Sequence, residues 1–205
     1  MILHTVPGSP NGRRVEAVIA HLGLQVEIRH YDLFKGELKL PNYLALNANA
    51  KAPTLQDGDF LLWETTAIMQ YLCEKAGDTE LFPRNPRTRA DITRWQCWEG
   101  LYFNAALSTL AFETIAKARR NIGPDASQVE QAKLTLDRFA PVLEAHLKGR
   151  KYMVGDHLTL ADYSMSTFGP YASKVPYNFE DFPNVMSYFQ RMESHWPAAA
   201  QPKAA

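Results

Sequence analysis

Residues 2–6 form an apolar run with β-branched members that stops at Pro7-Gly8, the pattern of a buried strand closed by a turn. Beyond Ser9-Pro10-Asn11-Gly12, the residues Val15, Val18, Ile19 and Leu22 recur at the i, i+3, i+4, i+7 spacing of an amphipathic helix, which Gly23 ends. Over 26–31 apolar and polar positions alternate, with Val26 and Ile28 on one face and Glu27 and Arg29 on the other, so a second strand is predicted. Strand, helix and strand make a βαβ unit whose parallel pair crosses over right-handed. After a loop-like stretch to Ala50, segments 53–56 and 60–63 flank Asp57-Gly58, a hairpin signal. Glu64-Thr65-Thr66 then opens a helix carrying Ile68, Tyr71 and Leu72 to the stop at Gly77.

The pattern changes after that point. Residues 78–86 are rich in turn formers, and from Arg87 onward the periodicity is helical throughout. Ile92, Trp95, Trp98, Tyr102 and Ala105 recur at threes and fours, as do Ala132, Leu136, Phe139, Leu143 and Leu147, and a helical bundle buries such faces against one another. Breaks are expected at 121–127 and 149–156. Leu158-Thr159-Leu160-Ala161-Asp162-Tyr163 reads as a capping box, with Thr159 at the N-cap and Asp162 at N3. A last helix follows Pro183, with Val185, Tyr188, Phe189 and Met192 inward, before a loosely attached tail from 196. The fold class is therefore α+β: a βαβ-ββα domain over 1–77, a linker over 78–86, and an all-α domain over 87–205.

Composition narrows the function. Lys plus Arg and Asp plus Glu are 22 each, with 7 basic against 8 acidic residues up to 77, so neither part has the charge of a nucleic-acid or anionic-membrane binder. Apolar runs of four or five residues are far below the roughly 20 of a membrane span. No basic, apolar and small-residue leader is visible at the start, which suggests the cytoplasm. Cys73 and Cys97 lack CxxC spacing and sit in helical patterns, as reduced, buried thiols do. The six His residues show no ligand spacing and no nucleotide-binding glycine fingerprint occurs, so no metal site and no resident cofactor are expected.

Three separated motifs together resemble the cytosolic glutathione transferase family: Ser-Pro-Asn-Gly between the first strand and helix, Lys51-Ala52-Pro53-Thr54-Leu55 with Glu64-Thr65-Thr66-Ala67-Ile68, and the Leu-Thr-Leu-Ala-Asp cap. The likeness runs from Ile2 to about Pro197. It implies a thioredoxin-like N-terminal domain that binds glutathione as co-substrate, a helical C-terminal domain supplying part of a second-substrate pocket, and a homodimer. Ser-Pro-Asn-Gly is also similar to the Thr-Pro-Asn-Gly of nu-class members that reduce disulfides, which suggests a bacterial serine-type, nu-like member.

Glutathione chemistry requires its thiol as the thiolate near neutral pH, together with anchors for two carboxylates and one ammonium. Ser9, where the strand ends and the helix begins, matches the catalytic-serine place, although a Ser before a Pro at N1 is also an ordinary helix cap. Asn11 could donate its amide N–H to the same sulfur, while Asn-Gly is equally turn chemistry. Pro53 matches the family's cis-proline, with Ala52 offering N–H and C=O to the cysteinyl part; a Pro at a strand start is otherwise commonplace. Glu64 and Thr65 match the family's Glu-Ser pair, for the γ-glutamyl ammonium and carboxylate, or form only an acidic helix cap. Lys51 corresponds to a partner for the glycyl carboxylate, with Lys39 a substitute for the His or Gln of some relatives. Tyr102, Phe103 and Leu107 read as core before they read as pocket.

The expected activity is attack of the glutathione thiolate on a small electrophile. Reduction of a disulfide or peroxide by glutathione, isomerase or dehalogenase chemistry in the same superfamily, and a non-catalytic glutathione-binding or regulatory role are the alternatives, because fold alone does not establish activity.

Overall fold

The computed structural model describes residues 1–77 and 80–196. Its first part runs β1 (Ile2–Thr5), α1 (Pro10–His21), β2 (Glu27–His30), α2 (Pro41–Leu44), β3 (Thr54–Asp57), β4 (Phe60–Trp63) and α3 (Thr65–Ala76). The sheet order is β2-β1-β3-β4. β1 is parallel to β2, and β3 is antiparallel to both of its neighbours, the mixed sheet of a thioredoxin-like domain. Leu3 of β1 lies opposite Leu55 of β3, and both are fully buried. α1 packs on α3, and Val15 and Val18 of the one and Ile68 and Leu72 of the other are fully buried, each such side chain contributing about 1.5–3 kcal/mol.

Two expectations change here. The alternation over 26–31 locates β2, but every residue of that strand is exposed, Ile28 by 37%, because it is an edge strand with one neighbour. The stretch read as loop holds a 3₁₀ turn (Glu37–Lys39) and α2, anchored by the buried Leu38 and Tyr43. Elements this short supply one buried residue apiece, too few for a periodicity to show.

The remainder is helical: α4 (Pro86–Trp98), α5 (Asn104–Ala111), α6 (Ala126–Leu147), α7 (Leu160–Met165), α8 (Gly169–Ala172) and α9 (Pro183–Glu193). Two wider π-type turns, Glu99–Phe103 and Phe112–Ala116, flank α5. α5 packs on α6, α6 on α9 and α4 on α7. Ile92, Phe103, Leu107, Leu136 and Leu143 are fully buried, which places Phe103 and Leu107 in the core, while Tyr102 stacks on Phe139 at a centroid distance of 4.4 Å. Val185, Tyr188, Phe189 and Met192 face inward as the spacing predicts.

The capping box forms as written in the sequence, with the Thr159 N–H donating to Asp162 at 2.9 Å. Asp162 also accepts from the Thr159 hydroxyl, the Met153 N–H and the Tyr188 hydroxyl. Burial pushes its carboxyl up to about 6, against four donors that each favour the anion. Cys73 is buried, but Cys97 is exposed and departs from the buried-thiol expectation, because it lies on the outer face of α4.

Contacts divide the described residues into two units, Met1–Phe82 with Trp196, and Pro83–His195. Leu81 and Phe82, inside the stretch read as linker, are buried and belong to the first unit. Trp196, assigned by its position to the helical domain and its tail, instead joins the first unit, where the Arg13 guanidinium sits 4.3 Å over its ring. Residues 78–79 of the linker and 197–205 of the tail lie outside the described residues.

Candidate functional site

The first unit contains a cleft of about 150 Å³. Asn11, Lys51, Ala52, Pro53, Glu64 and Thr65 all line it, whereas Ser9 is missing from its wall. Lys39, in the 3₁₀ turn, does not line it either.

Ser9 is the N-cap of α1, with extended backbone, and its Oγ accepts a long 3.4 Å hydrogen bond from the Gly12 N–H. Pro10 occupies N1 with the fixed φ that a helix start uses. Gly12 is not turn chemistry but part of α1. A Cβ there would lie 2.1 Å from the Thr5 Oγ1, so a residue without a side chain lets the first turn of α1 rest on the end of β1. Asn11, in the same turn, accepts at its Oδ1 from the Arg14 Nη2 at 2.5 Å. Arg14 is 7% exposed and also lines the cleft.

The opposite wall is a loop held from beneath. Asn47, 3% exposed, donates from Nδ2 to the Lys51 carbonyl at 2.9 Å and to the Thr54 Oγ1 at 3.1 Å, and its Oδ1 accepts from the Asn49 N–H and side-chain amide. The Tyr43 hydroxyl donates to the same Lys51 carbonyl at 2.7 Å. Burial pushes the Tyr43 phenol up, which keeps that donor protonated. With its carbonyl fixed twice, Lys51 has its place in the loop set while its side chain reaches solvent. The Ala52–Pro53 peptide is cis, as the resemblance implies.

At the third wall the chain turns from β4 into α3 through Glu64, whose φ of 72° and ψ of 119° belong to a conformation L-residues rarely adopt. It occupies the N-cap position, but its side chain makes no cap hydrogen bond. Thr65 follows, 8% exposed, at the first position of α3, where backbone N–H groups lack intrahelical partners and the helix dipole favours an anion. The cleft thus combines two cations, three asparagines, a helix start and one carboxylate, a set able to hold a zwitterion with more than one carboxylate.

Arg14, Asn47, Asn49 and Trp63 also line the cleft and were not read from sequence. Arg14 had a signal, since a position three residues beyond Asn11 lies beside it on a helix. Asn47 and Asn49 had none, because loop residues carry no period.

Comparison with known proteins agrees with this geometry. Residues 1–74 match the family model for the glutathione S-transferase N-terminal domain, and residues 103–195 match that for the C-terminal domain. The chain is 34% identical over 200 residues to glutathione S-transferase 3 of Zea mays, an alignment covering 97% of this chain and 88% of that protein. The structure of glutathione transferase F7 from Populus trichocarpa superposes with a TM-score of 0.86 at 27% identity, covering 97% of this chain and 95% of that one. A glutathione S-transferase-I structure bound with lactoylglutathione gives 0.82 at 27%, covering 98% and 96%.

The chain belongs to the glutathione S-transferase family. Its relatives named above with a source are plant proteins, not the bacterial serine-type, nu-like branch that Ser-Pro-Asn-Gly suggested. That turn answers local demands: a cap at 9, a fixed φ at 10 and close approach at 12. Such demands arise at a helix start in any branch and mark none of them.

Proposed function

We propose that the cleft binds glutathione and that the start of α1 stabilises its thiolate for attack on a small electrophile. The observation that carries this reading is the meeting in one cleft of Asn11, Lys51, Ala52, Pro53, Glu64 and Thr65. The γ-glutamyl carboxylate lies on the Thr65 N–H and hydroxyl at the start of α3, with Glu64 against its ammonium. The Ala52 backbone pairs with the cysteinyl part, and Lys51 faces the glycyl carboxylate. The sulfur then lies at the first turn of α1, where the helix dipole, the Ser9 hydroxyl and the Asn11 amide each favour the anion. The thiol loses its proton to solvent, the thiolate forms a bond to the electrophilic carbon, and the leaving group departs with the electron pair. No resident cofactor takes part, since glutathione is the co-substrate.

The lactoylglutathione held by a structural relative supports a glutathione-shaped site here. Among the described residues no helix is long and apolar enough to cross a membrane, in keeping with a cytoplasmic enzyme. A homodimer accompanies the reading, as the family resemblance implies, and light scattering over a range of concentrations checks it. A second reading, reduction of disulfides or peroxides by glutathione, gains from Asn11 lining the cleft where Ser9 does not. Calorimetric titration separates the readings: tighter binding of reduced glutathione supports conjugation, and equal or tighter binding of the oxidised form supports reduction. Thr65→Ala weakens binding of reduced glutathione about tenfold, the value of one charge-assisted hydrogen bond. An unaltered dissociation constant removes Thr65 from the site.

A further inference from the structure

We propose that Arg14 is a positioning residue for the sulfur subsite: it holds the Asn11 side-chain amide with its oxygen against the guanidinium and leaves the amide N–H as the end offered to a ligand. This rests on the glutathione reading above. An arginine carries donors only, so the atom 2.5 Å from its Nη2 must be the Asn11 oxygen, and a flipped amide would set donor against donor. The orientation of Asn11 is therefore fixed by chemistry. The Asn11 side chain makes no other hydrogen bond among the described residues, so among them its Nδ2 group is a donor without a partner at the wall of the cleft.

Three features make this link more than a surface contact. Arg14 is 7% exposed, so its charge is weakly screened. The two residues are three apart in α1, which sets them side by side without ordering a separate loop. A hydrogen bond from an ionised donor is roughly twice as strong as a neutral one, and it polarises the amide so that the opposite N–H donates more strongly. Ser9, by contrast, has its oxygen engaged by the Gly12 N–H and stands outside the wall of the cleft.

The experiment follows the ultraviolet absorbance of the thiolate of bound glutathione against pH, using the full chain saturated with reduced glutathione. Asn11→Ala and Arg14→Gln should each raise the apparent pKa of the bound thiol by about half a unit to one unit, a three- to tenfold loss of thiolate below that pKa. The double variant should rise no further than Asn11→Ala alone, since Arg14 acts through Asn11. Arg14→Lys keeps the charge without the planar fork and should fall between. If Arg14→Gln does not fold, Arg14→Met fills similar space without a buried polar head and should show the same rise. An unchanged thiol pKa in either Arg14 variant, or additive shifts in the double variant, overturns the proposal. If the unaltered protein binds glutathione but its thiol titrates as the free thiol, the thiolate reading has failed, whatever Arg14 does. If it does not bind glutathione, the cleft assignment itself has failed.

Discussion

In the helical unit the buried Asp162 carboxylate accepts from two backbone N–H groups and two hydroxyls, and these donors tie the segment before α7 to α9. In the sheet unit the side-chain N–H of Asn11 has no partner among the described residues, Glu64 holds a disfavoured backbone, and α3 begins without a side-chain cap. Both regions concentrate polar groups at helix starts. One is closed, so its hydrogen bonds support the fold. The other is open, with a side-chain donor turned to its cleft and its strain carried by the surrounding structure.

The largest expected effect breaks the closed region. Asp162→Ala leaves the Met153 and Thr159 N–H groups and the Thr159 hydroxyl buried without this acceptor, and destabilises the chain by about 3–5 kcal/mol. Urea unfolding measures this; a loss below about 1 kcal/mol would show that the network is incidental. Gly12→Ala comes next. Its Cβ collides with Thr5, and overpacking of this kind amounts to about 1–3 kcal/mol. Adding Thr5→Ala should recover most of the loss, and failure to do so would locate the collision elsewhere.

A third test uses pH. The Asp162 carboxyl, at about 6 in the fold, stands above the roughly 3.9 of an unfolded chain, so the folded state holds this proton more tightly. Its contribution is full below the unfolded value and is lost as pH rises through about 6, about 3 kcal/mol across the window. Asp162→Asn should flatten that slope in unfolding midpoints, and an unchanged slope would assign it to other groups. The smallest stability effect belongs to the open region. Glu64→Gly relieves the positive φ but adds chain entropy, leaving stability within about 0.5 kcal/mol while glutathione affinity falls several-fold. Equal losses in both would erase the distinction between the regions.

The sequence carries the closed region almost completely. Thr159 and Asp162 are a local pattern with one geometry, and the buried faces of α6 and α9 repeat every three to four residues. The site is legible only in part. Asn11, Lys51, Pro53, Glu64 and Thr65 stand in short motifs, but Asn47 acts through a loop closed by Tyr43 and Thr54, a relation no period encodes. The exposure of Ile28 was hidden for a different reason, since alternation reports a strand and not whether its outer neighbour exists. Gly12 was ambiguous because the same residue suits a turn and a tight helix-on-strand contact, and only the position of Thr5 separates them.

Gly12 and Thr5 can change only in one order. A lineage that first acquires a side chain at 12 collides with the threonine hydroxyl, whereas one that first trims position 5 to Ala or Gly opens room for a later gain at 12. Among descendants of this chain, bulk at 12 should therefore accompany smallness at 5. The turn from 9 to 11 can then keep its chemistry while the residues that support it are exchanged as a pair.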